Sequence, residues 1–95
     1  MRVWTVTIGI GPGPHGRPDP YATRVWVHLC ADDRNEARLS ALDCAGRVIS
    51  AIGERTDALT VERLAMDPPR RWDDDTLRGR RSGEVYYVEL RIGVS

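Results

Sequence analysis

Along residues 3–10 apolar and polar side chains alternate with a period of two. Trp4, Val6, Ile8 and Ile10 fall on one side, Val3, Thr5 and Thr7 on the other. This is the pattern of a strand that buries one face, so a strand is predicted over about 2–10. The following run Gly11-Pro12-Gly13-Pro14-His15-Gly16-Arg17-Pro18-Asp19-Pro20 removes backbone donors at four prolines and permits positive φ at three glycines, which predicts a long loop over 11–22. Alternation resumes over 23–31, where Val25, Val27 and Leu29 interleave with Arg24, Trp26, His28 and Cys30, giving a second strand.

The period then changes to that of a helix. Ala37, Ala41, Ala45, Val48, Ile49 and Ile52 share one arc at 3.6 residues per turn, while Glu36, Ser40, Asp43, Arg47 and Ser50 point away. Asp33 with Glu36 three residues on reads as a capping box, and Gly53 suits the left-handed position that ends a helix, which bounds it at about 33–52. Leu39 falls off the buried arc. The next strand, about 57–66, has a broken pattern: Leu59 and Val61 support one face, Leu64 and Met66 the other, as a β-bulge or an irregular end would give. The polar stretch 67–83 reads as a second long loop. The final strand, about 84–94, alternates throughout, with Tyr86, Val88, Leu90, Ile92 and Val94 on the helix side and Val85, Tyr87, Glu89 and Arg91 opposite.

The order ββαββ predicts an α+β domain over 1–95, with a four-stranded antiparallel sheet and one helix on one face. A crossover from the second strand to the third that skips the first gives the strand order 2-1-3-4. One helix covers only one face. The other would carry Val3, Thr5, Thr7, Trp26, His28, Cys30 and Tyr87, which is more apolar than an open sheet face usually is.

Composition adds limits. The 95 residues carry 14 basic and 14 acidic side chains, a net charge of zero, so no overall field draws the chain to nucleic acid or anionic lipid. A domain of this size hides only about 60–65% of its chain surface, which favours burial in an oligomer. All 14 basic residues are arginine and phenylalanine is absent, the bias of a GC-rich genome and the style of short accessory proteins of actinobacteria and their phages. No apolar run of about 18 residues occurs, and Met1-Arg2 leads straight into a strand pattern, so no membrane partner and a cytoplasmic location are expected. Cys30 and Cys44 read as reduced thiols.

Four kinds of chemistry can be weighed on these residues. The open face around Trp26 and Tyr87, with His28, Thr5 and Thr7, reads as an interface for a second copy of the chain or for a host protein, because an indole at a strand centre seeks cover. The competing expectation is that one of the long loops folds over it. Arg70, Arg71, Trp72, Arg78, Arg80 and Arg81 suggest a nucleic-acid contact of guanidinium groups and a stacking ring, but Asp73-Asp74-Asp75 stands among them and offsets the charge. His28 and Cys30, two apart on one strand face, are the pair a small enzyme would use, yet no oxyanion-hole signature accompanies them. The four soft ligands His15, His28, Cys30 and Cys44 lack zinc spacing, the Asp triplet lacks the alternation of a calcium loop, and Gly9-Ile10-Gly11-Pro12-Gly13 lacks the lysine and helix of a phosphate loop. No cofactor or metal is expected. The leading expectation is a non-enzymatic interaction module that self-associates through its open face.

Overall fold

The computed structural model describes residues 1–10, 23–53, 59–66 and 78–92. In chain order they form β1 (Arg2–Ile10), β2 (Arg24–Ala31), α1 (Arg34–Ala51), β3 (Leu59–Met66) and β4 (Glu84–Arg91). All strand pairs are antiparallel, and the sheet order is β3-β1-β2-β4. The α+β architecture and the central place of β1 beside β2 and β3 follow the sequence reading. The position of β4 does not: it pairs with β2 rather than with β3, so the order 2-1-3-4 is corrected to 3-1-2-4.

The reason lies in the turn before β4. The Gly83 amide donates to the Cys30 carbonyl at 2.7 Å, and Ser82 Oγ accepts from the Asp32 amide at 2.8 Å while donating to Glu36 Oε2 at 2.7 Å. These bonds seat the turn on the junction between β2 and α1. Gly83 has φ +90°, and a Cβ there would come within 2.8 Å of Ser40 Oγ, so any other residue would be strained and would displace Ser40 or Glu36.

Helix α1 begins at Asp33, whose side chain accepts from the Glu36 amide at 2.8 Å, as its N-cap role predicts. Glu36 takes a role other than the capping-box reach expected of it, because its carboxylate receives Ser82 from the β4 turn. Gly53 follows the C-cap with φ +81°, and its amide donates to the Ser50 carbonyl. The buried line of the helix is Ala37, Ala41, Ala45 and Ile49; Val48 is half-buried and Ile52 exposed. Three alanines in that line let the helix lie close to the sheet. Trp4, Val6 and Ile8 of β1 and Val25, Val27 and Leu29 of β2 fill the other side of the core, with Leu42, Cys44, Leu64, Val85 and Val88 packed around them. The Trp4 indole N–H donates to the Ala31 carbonyl at 3.1 Å, so its polar atom is paired inside the core.

Two irregularities set which side chains face where. Between Thr7 and Ile8 the β1–β3 register shifts, pairing Val6 with Leu64 and Ile8 with Val61. Both partners therefore align with core positions of β1, so of the two readings the mixed pattern allowed, a bulge or an irregular end, the structure has the bulge. A second shift, between His28 and Leu29, pairs His28 with Tyr87 and Leu29 with Val85, leaving Tyr86 as the extra residue. This exchanges two assignments made from simple alternation: Val85 packs on the core, and Tyr86 joins the face opposite the helix, 6.3 Å from the His28 ring.

Candidate functional site

The sheet face away from α1 can be laid out from the strand registers. One row across the sheet reads Arg63, Thr7, Trp26, Glu89; the next reads Ala65, Thr5, His28, Tyr87; and Val3 with Cys30 and Glu84 follows. The five residues expected to form the interface, Trp26, Tyr87, His28, Thr5 and Thr7, thus occupy neighbouring positions on one surface. Arg63 and Glu89, which sequence reasoning did not single out, close the Trp26 row at the two edges. Alternation alone puts Glu89 on the Tyr87 face, but its place beside Trp26, and the face of Arg63, depend on the registers of β4 and β3.

The face is not uniformly bare. Val3 and Cys30 are buried, since the segment leading into β4 closes that end: Cys30 Sγ lies 3.5 Å from the Glu84 carbonyl, and the Arg80 guanidinium stacks 5.3 Å over the Tyr86 ring while reaching Glu84 at 3.3 Å. In the middle, Trp26 is half-buried. Tyr87 at the edge is 55% exposed. Thr5, Thr7, Trp26, Arg63 and Ala65 line a shallow groove of about 200 Å³.

At the centre, Thr5 Oγ1 and His28 Nδ1 are 3.2 Å apart, and the ring lies tilted against Tyr87 at 5.3 Å. His28 Nε2 is buried without a hydrogen bond, with Glu89 Oε1 at 3.7 Å. The rings and the threonine hold the imidazole in one orientation. Cys30, the other half of the enzyme reading, is a poor nucleophile: burial pushes its thiol up, and nearby Arg80 only partly opposes this. A reactive cysteine needs the opposite shift. Burial raises the Cys44 thiol as well. Both cysteines are free, and no group of His, Cys, Asp or Glu capable of holding a metal ion occurs among the described residues.

Of the proposed nucleic-acid contacts, Arg70, Arg71 and Trp72 lie outside the described residues. Arg78 and Arg81 are exposed, whereas Arg80 is engaged with Glu84 and Tyr86 at the base of β4. No helix among the described residues is long and apolar enough to cross a membrane. Comparison with protein-family models, with curated proteins and with solved structures finds no match.

Proposed function

We propose that this chain is a small non-enzymatic interaction module, an accessory protein of the cytoplasm, that self-associates through the sheet face opposite α1. The observation that carries the reading is the arrangement of Trp26: a half-buried indole in the middle of a face whose neighbouring Tyr87 stands 55% exposed, with α1 committed to the other side. Covering such rings stabilises an assembly through roughly 25 cal/mol per Å² of apolar surface removed from water. Thr5 and His28 pair with each other at 3.2 Å, which lowers the cost of covering those two polar groups. The face is small. Four strands about 4.8 Å apart and eight residues long span roughly 500 Å² in projection, and with the Val3 and Cys30 end already covered the open part falls short of the roughly 800 Å² per partner of an ordinary stable interface, so a weak, concentration-dependent dimer is expected.

Light scattering coupled to size exclusion tests the reading. Wild-type protein is expected to elute with the mass of a dimer at the higher loading concentrations, and Trp26→Ala to elute as a monomer with an unchanged far-ultraviolet circular dichroism spectrum. A wild type that stays monomeric at every concentration would overturn it.

A further inference from the structure

Resting on that reading, we propose that the partner on this face is a second copy of the chain, related by a two-fold axis that runs along the strands. Each Trp26 then seats in the groove of the other copy, and Arg63 of each pairs with Glu89 of the other.

The edges of the sheet select the axis. In the Trp26 row, Arg63 stands at the β3 edge and Glu89 at the β4 edge, both exposed. A two-fold axis lying between the two sheets and across the strands would set each edge over the same edge of its mate, facing arginine toward arginine and glutamate toward glutamate. An axis along the strands instead sets the β3 edge over the β4 edge. Arginine then meets glutamate, and because the operation is two-fold the pair forms twice. Sheets packed face to face cross at about 30°, which an axis bisecting that angle satisfies. Like charges facing each other across an interface are costly, so the charges discriminate the two arrangements more than they add affinity.

The groove gives an independent reason. It lies between Trp26 and Arg63, over the threonines of β1. With the axis passing between β1 and β2, the β2 of one copy lies over the β1 of the other at the same height, so each Trp26 comes down over Thr7 of its mate. A cavity of about 150 Å³ takes a benzene ring. The groove, shallow and open to solvent, holds about 200 Å³, the volume scale of one aromatic ring system. Each inserted ring would have a threonine floor, the resident Trp26 on one side and the Arg63 guanidinium on the other, a favourable neighbour for an aromatic face.

Sedimentation velocity on wild type, Arg63→Glu, Glu89→Arg and an equimolar mixture of the two variants decides the matter. Both positions are exposed, so each variant should keep the wild-type circular dichroism spectrum. Each single variant carries two repulsive edges in its homodimer and should dimerise at least 10-fold more weakly than wild type. In the mixture, the glutamate introduced by the first substitution faces the arginine introduced by the second, and at the other edge the native Glu89 of one chain meets the native Arg63 of the other. The heterodimer should therefore recover wild-type affinity. A wild-type dimer that neither charge reversal weakens, or a mixture that fails to recover, overturns the axis and leaves self-association standing. A monomeric wild type overturns both.

Discussion

Two glycines with nearly the same positive φ separate strain from packing at the residue scale. Gly53, φ +81°, has nothing within 4 Å of where a Cβ would stand; Gly83, φ +90°, would place one 2.8 Å from Ser40 Oγ and 3.2 Å from Glu36 Oε1. Gly53→Ala should therefore cost only the left-handed penalty, about 1–2 kcal/mol. Gly83→Ala should cost about 1–3 kcal/mol more, since Glu36 must release Ser82 or Ser40 must move. Urea unfolding monitored by circular dichroism gives both values, and equal losses would mean the clamp yields freely. Gly53 was legible in the sequence because a glycine after a helical arc has a local meaning. Gly83 was not, because its constraint comes from Glu36 and Ser40, which are remote along the chain. The same holds for Glu36: spacing from Asp33 pointed to a reciprocal cap, and a serine 46 positions away claimed the carboxylate.

At the scale of elements, what could be read was whatever one segment specifies by itself. The limits of α1, the alternation of β1 and β2 and the irregularity of β3 follow from local patterns. The bulge of β4 does not, because Val85, Tyr86, Tyr87 and Val88 are apolar or aromatic on both faces and any phase of alternation fits them. Strand order escaped for a related reason: β4 would be antiparallel beside either β2 or β3, and only the turn at Ser82 and Gly83 decides. The alanine line of α1 carries a prediction of its own. Ala41 is fully buried where the helix lies on the sheet, so Ala41→Leu should lower stability by about 1–3 kcal/mol through overpacking. Leucine's good helix propensity does not offset this. Leu39 on the same helix is 55% exposed, and Leu39→Ala should stay within about 0.5 kcal/mol. Thermal and urea unfolding of both variants check the contrast, and a neutral Ala41→Leu would show that the layers can separate without loss.

For the whole molecule, the candidate site was half legible. Period-two alternation put Trp26, His28, Thr5 and Thr7 together, but the edge charges Arg63 and Glu89 emerge only when four strands are aligned. The connection from β3 to β4 also predicts an order of events in folding. It carries the chain from one edge of the sheet to the other, and the bonds that then fasten β4 close separations of 46 to 54 residues, far longer than the 27 of the Trp4 bond to Ala31. Doubling the separation adds only about 0.6 kcal/mol of closure entropy, so the bias toward late docking of β4 is modest and comes mainly from the non-local character of its contacts. The β1–β2 pair and α1 can assemble first, and they supply the docking surface that β4 needs, namely the end of β2 and the first turn of the helix. Loss of the Ser82 hydroxyl should then leave the refolding rate nearly unchanged and put most of its effect into faster unfolding, a φ value below about 0.3. Stopped-flow measurements on Ser82→Ala read this directly. A folding arm slowed in proportion to the lost stability would instead place the clamp in the nucleus, with β4 among the first strands to arrive.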